Sequence, residues 1–130
     1  MRQQGLQALW PEPGILVGMV HLAPLPGAAR WQGSMDSVVE RACRDAEALE
    51  SAGFDGLIVE NFGDVPFMGE GVPPETIAGI TAVTTAVRRA TAVPLGINVL
   101  RNDALAAIAI AAATDARFVR VNVHTGSMWT

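Results

Sequence analysis

Four short apolar runs recur along the chain, and each gives way to a polar side chain at its carboxyl end. Ile15–Val20 leads to His21, Gly56–Val59 to Glu60, and Leu95–Ile97 to Asn98. The fourth, Arg117–Val123, carries Asn122 and reaches His124. Runs this short, bounded by Gly and Pro, predict buried strands. Between them the apolar period changes to that of a helix. Met35, Val38, Val39, Ala42, Cys43, Ala46 and Leu49 make one helical face, opened by a Ser34 cap and closed by Gly53 in the C′ role. Pro73-Pro74-Glu75 starts a second helix with Ile77, Ile80, Val83, Thr84 and Val87 on one face, and Arg88 and Arg89 suit its C-terminus. Asn102 or Asp103 caps a third, nearly all Ala and Ile, over Ala104–Ala113.

Strands separated by single helices predict right-handed βαβ crossovers and a parallel sheet. Every predicted strand, not one switch point, ends in polar residues, and no Gly-x-Gly-x-x-Gly follows the first strand. Both features favour an α/β chain of TIM-type barrel repeats over an open doubly wound sheet. Parity then assigns faces. Val119, Val121 and Val123 share one side of strand four and belong against helices, so Phe118, Arg120, Asn122 and His124 point into the barrel. Gly96 and Asn98 follow, as do Glu60 and His21. The expected result is a mouth lined by His21, Glu60, Asn98, Asn122 and His124. Asn61 points the other way from Glu60 and reads as structural. Residues 1–13 form a polar lead-in, and 14–130 the barrel segment.

Composition narrows the function. The chain has 130 residues, half of them apolar, and a net charge of −4 from nine Arg against thirteen acids. That balance argues against nucleic acid or an anionic membrane as the main partner. No stretch is long enough for a signal core or a membrane span, so a cytoplasmic protein with no integral membrane segment is expected. The single cysteine, Cys43, falls on the inward side of the first helix and reads as a structural thiol. There is no Lys, so these residues cannot form a side-chain Schiff base.

Each candidate residue has a chemical reading and a structural one. Glu60 suits a general base or a metal ligand, or an ion pair with inward-facing Arg120. His21 and His124 suit acid, base or ligand roles, or simple hydrogen bonding at a strand end. Asn98 and Asn122 suit hydroxyl or carbonyl oxygens of a substrate, or loop backbone. Arg101 on the third mouth loop suits a substrate anion, or pairing with Asp64 on the second. Asp103 suits a helix cap. The loop from Gly63 to Val72 either folds over a ligand or packs on the next loop. His21, Glu60 and His124 lack the compact spacing of a metal motif, no Lys-Ser or Lys-Thr follows the glycines of 63–71, and no cofactor is named by the sequence.

Four stretches resemble a known family: Gly18-Met-Val-His-Leu-Ala-Pro-Leu-Pro-Gly27, Val59-Glu-Asn-Phe-Gly-Asp-Val-Pro-Phe67, Pro94-Leu-Gly-Ile-Asn-Val-Leu-Arg-Asn-Asp103 and Arg120-Val-Asn-Val-His-Thr-Gly126. In this order, from about Leu6 to the last residue, they are similar to the BtpA/SgcQ family. The resemblance implies a bacterial TIM-type barrel of roughly twice this length. It links one member to photosystem I accumulation and others to sugar-related gene clusters without a settled reaction. The chain is then the N-terminal half of a barrel, truncated after strand four and inactive alone. The expected function of the whole is acid–base chemistry on a sugar-like or phosphorylated small molecule. Glu60, His21 and His124 would move protons; Asn98, Asn122, Arg101 and Asp64 would bind substrate. The alternative is a non-catalytic biogenesis or stability factor that keeps a ligand site at the mouth. A lone half-barrel exposes Val17, Met19 and Ile58, so self-association is expected.

Overall fold

The computed structural model describes residues 5–126. Strands β1 (Val17–His21), β2 (Gly56–Glu60), β3 (Leu95–Asn98) and β4 (Phe118–Val119) form one sheet in the order β1-β2-β3-β4. All three pairings are parallel. The crossovers carry α1 (Met35–Ser51), α2 (Pro74–Ala90) and α3 (Ala104–Thr114). Four consecutive parallel strands with their intervening helices are half of an eight-stranded barrel.

The helix ends follow local chemistry. Ser34 accepts from the Ser37 N–H, and Gly53 just past α1 has a φ of +93°, the left-handed turn a C′ residue needs. Asp103, not Asn102, caps α3 by accepting from the Ala106 N–H. The Arg88 guanidinium donates to the carbonyls of Thr91 and Val93 and fixes the turn into β3.

Register sorts the strand residues into layers. Val20, Leu57, Val59, Leu95 and Ile97 are fully buried and join Val38, Ala42, Ile80, Val83, Val87 and Ile110 of the helices in one core. Burying such aliphatic side chains stabilises by about 1.5–3 kcal/mol each. The opposite face is the inside of the barrel. There Met19, Ile58, Gly96 and Phe118 stand in register, and above them His21, Glu60 and Asn98. Gly96 has room for nothing more, because a Cβ there would lie 2.3 Å from the Phe118 ring.

Three expectations need correction. Strand four pairs only over Phe118–Val119, shorter than Arg117–Val123, because the Asn102 side chain takes both the N–H and the carbonyl of Val123. Ile15 and Leu16 fall outside β1, where Asp55 bonds the backbone of Leu16 through its own N–H and its side chain. Ile58 is 8% exposed, not open as a half-barrel interior suggests, while Val17 and Met19 are half-buried. The lead-in also has a place. The Trp10 indole donates to the Asp55 carbonyl, meets the Phe118 ring edge-on at 5.2 Å and covers Gly56. It closes the amino-terminal end of the sheet, opposite the mouth.

Candidate functional site

The carboxyl ends of the strands bring four predicted residues together. Glu60 ends β2 and is 5% exposed. His21, its register partner on β1, places Nε2 3.3 Å from Glu60 Oε1. On the other side Asn98 donates Nδ2 to Glu60 Oε2 in a short hydrogen bond and to Asn122 Oδ1 at 3.1 Å. Arg120, just past β4, reaches Glu60 Oε2 with a guanidinium nitrogen at 3.8 Å. Glu60 therefore stands between two cationic or potentially cationic neighbours, His21 and Arg120.

The inward-facing Arg120 side chain is 53% exposed. Water screens that pair, so the guanidinium balances charge at the mouth without being trapped there.

Phe62 completes the group and was not singled out in the sequence. It stacks on His21 with ring centroids 4.4 Å apart and planes 14° from parallel, fixing the imidazole edge toward Glu60. Its only signal was an aromatic residue two positions after the carboxylate.

The remaining predicted residues lie elsewhere. His124 is exposed after β4, and no hydrogen bond or ion pair among the described residues involves it. Asp64 does not pair with Arg101. It accepts from the Leu25 N–H at 2.8 Å and from Asn61 Nδ2 at 3.3 Å. Burial raises its pKa, and those two hydrogen bonds only partly oppose the rise. Arg101 keeps its Nε buried without a hydrogen-bond partner among the described residues and lines a shallow pocket with Gly69, Glu70 and Gly71.

The loops around the mouth are knitted by a repeated device. Asn61 donates to the Leu100 carbonyl and accepts from its N–H, which ties the second loop to the third. Asn102 does the same to Val123 and ties the third to the segment after β4. Aspartates tie backwards: Asp64 to Leu25, and Asp103 to the Val72 N–H. Asn102 has a φ of +71°, which asparagine tolerates better than most residues. The loop 63–72 therefore packs on its neighbour. With the first loop it borders an open cleft of about 260 Å³ lined by Gly27, Asn61, Asp64, Phe67, Met68 and Thr76. That cleft does not include the Glu60 group, and no wholly buried polar atom without a partner lines it.

No group of three His, Cys, Asp or Glu among the described residues could hold a metal ion. Burial, then the charge of Glu47, pushes the thiol pKa of Cys43 up. No described helix is long and apolar enough to cross a membrane.

Comparison with known proteins decides the lineage. Residues 13–130 match the model of the BtpA family. The chain belongs to the BtpA family. An uncharacterised protein from Thermococcus kodakarensis is 53% identical over 88% of this chain and 44% of its own length. The photosystem I biogenesis protein BtpA of Synechocystis is 49% identical over 88% of this chain and 40% of its own. The putative sgc region protein SgcQ of Escherichia coli is 32% identical over 86% and 41%. The chain thus spans less than half the length of these relatives, and they come from archaea as well as bacteria.

Proposed function

We propose that the mouth of this half-barrel is part of a small-molecule enzyme site in which Glu60 transfers a proton, His21 shares it, and Asn98 and Asn122 orient substrate oxygens. The observation that carries this reading is a carboxylate 5% exposed at a strand end, with an imidazole nitrogen at 3.3 Å. The pair stands just beyond hydrogen-bond reach, as catalytic contacts often do until substrate tightens them. Phe62 holds the imidazole, and Arg120 offsets the charge left on Glu60. Arg101 and Asp64 on the rim loops are the proposed substrate-side groups beyond this first ring, and His124 is the alternative proton carrier. The substrate class is sugar-like or phosphorylated, and the compartment the cytoplasm.

The test uses a full-length barrel carrying residues 13–130 of this sequence, incubated with a soluble metabolite extract. Mass spectrometry should find a compound consumed by the native protein and spared by Glu60→Gln. Identical extracts from the two proteins would reject the enzymatic reading.

A second reading has its own support, because a 49% identical relative is named a photosystem I biogenesis protein. On that reading the mouth binds a ligand without turnover and the barrel acts through a protein partner. Ligand binding with no consumption, together with a partner that co-purifies stoichiometrically, would favour it.

A further inference from the structure

The open cleft of about 260 Å³ beside the second loop holds two polar groups that the described residues leave partly unserved. Asp64 is the first. Its carboxylate oxygens accept one hydrogen bond each, from the Leu25 N–H and from Asn61 Nδ2, which leaves acceptor capacity on both. Among the described residues no cation pairs with it, no Arg lines the cleft, and the chain has no Lys. Burial pushes its pKa up, so its charge is held there at a cost that a neighbouring cation would relieve. Thr76, in the first turn of α2, is the second. It is 6% exposed, yet its hydroxyl is not sealed off from the cleft it lines. Thr81 and Thr85 of the same helix return their hydroxyls to the carbonyl four residues back. The Thr76 hydroxyl makes no hydrogen bond to a described residue.

The other walls restrict the ligand. Pro66, Phe67, Met68 and Val72 make them largely apolar, which suits a carbon chain. A metal ion lacks ligands, since no three His, Cys, Asp or Glu converge among the described residues. An anion would meet Asp64 with no basic side chain to offset it. Glu75 adds to the negative side: a Cβ on Gly27 at the cleft wall would lie 2.8 Å from Glu75 Oε1. The same carboxylate, in the first turn of α2, offsets the positive end of that helix. An organic ammonium group meets every condition. It donates to Asp64 and to the Thr76 oxygen, beside an aromatic ring that attracts cations.

We infer that this cleft binds a small primary amine in its ammonium form, with Asp64 and Thr76 on the nitrogen and Phe67 and Met68 against its carbon chain. The inference goes beyond the mouth reading and does not depend on turnover at Glu60.

The full-length barrel, labelled with ¹³C at the methionine methyls, tests it by NMR in an amine-free buffer near neutral pH. The readout is the Met68 methyl, assigned with Met68→Leu, and Met19 on the inner face of the sheet is the internal reference. The probes are butylammonium and benzylammonium, matched against butanol and butyrate. At least one ammonium probe should shift Met68 saturably in the millimolar range and leave Met19 in place. Butanol should bind at least about tenfold more weakly, for want of the charge-assisted hydrogen bond, and butyrate should not bind. Asp64→Asn should remove the preference for ammonium over alcohol. Thr76→Val should weaken the ammonium probe by about threefold. It leaves the loop contacts of Asp64 untouched, and so decides the matter even if Asp64→Asn fails to fold. No saturable shift with either ammonium probe up to roughly 0.1 M would overturn the inference. So would butanol or butyrate binding as tightly as ammonium, or an ammonium affinity that both variants leave unchanged. The two proposals fail separately. Ammonium binding without Glu60-dependent turnover defeats acid–base catalysis only. Glu60-dependent turnover without ammonium binding defeats the cleft assignment only.

Discussion

Asn61 illustrates what a single side chain does at this mouth. It is fully buried, and it satisfies both backbone groups of Leu100 across the gap between two loops. Asn61→Ala leaves a buried N–H and a buried carbonyl without partners, at about 1–3 kcal/mol for each group left unpaired. Urea denaturation should show a lower midpoint at an unchanged slope. A midpoint within error of the native protein would mean that the third loop is held by something else. The sequence assigned Asn61 a structural role from parity alone, since it follows Glu60 and must face the other way. The matching role of Asn102 was not legible. It depends on where the segment after β4 passes, and no local pattern encodes that path.

Elements were legible where a period covers several turns or where turn chemistry marks an end. Ser34, Gly53, Pro74 and Asp103 stand at the helix boundaries their residue types predict. Strand ends were harder, because an apolar run continues past the point where ladder bonds stop. Val121 and Val123 extend the pattern of β4, yet Asn102 captures the backbone at Val123. The short β4 is held at its start by the Phe118 ring lying over Gly96. Gly96→Ala puts a methyl where that ring sits, an overpacking that typically destabilises by about 1–3 kcal/mol. The ring and its strand should move, because β3 lies between two neighbours and β4 on the described sheet has one. Amide hydrogen exchange at Arg117 and Arg120, which donate to Leu95 and Ile97, should speed up well before exchange within β2. Equal acceleration in both strands would contradict this order of stability.

Across the whole molecule, the sheet described here ends in two parallel edges, β1 and β4. Leu105 and Ile108 of α3 are exposed beside the second edge, and Val17 and Met19 remain half-open on the inner face. Unpaired edges next to apolar surface favour association. The 130-residue chain on its own should therefore sediment as dimers or larger species across the micromolar range. A stable monomer that unfolds cooperatively would show that Trp10 and Ile58 close the inner face well enough by themselves. The repeat architecture and the polar ring were visible in the sequence because strand parity is a local rule. The plug formed by Trp10 was not, since it joins the lead-in to residues more than forty positions away.

Glu60 carries the functional account, and one variant tests it. Glu60→Gln in a full-length barrel keeps size and hydrogen bonding, and its amide oxygen can still accept from Asn98. Arg120 is half-exposed, so losing its partner should change stability by about 1 kcal/mol or less. Turnover of the compound found by metabolite screening should fall by roughly a hundredfold or more, with the unfolding midpoint close to native. A native rate, above all with a clearly lowered midpoint, would contradict the account and leave Glu60 as a structural partner of Asn98 and Arg120.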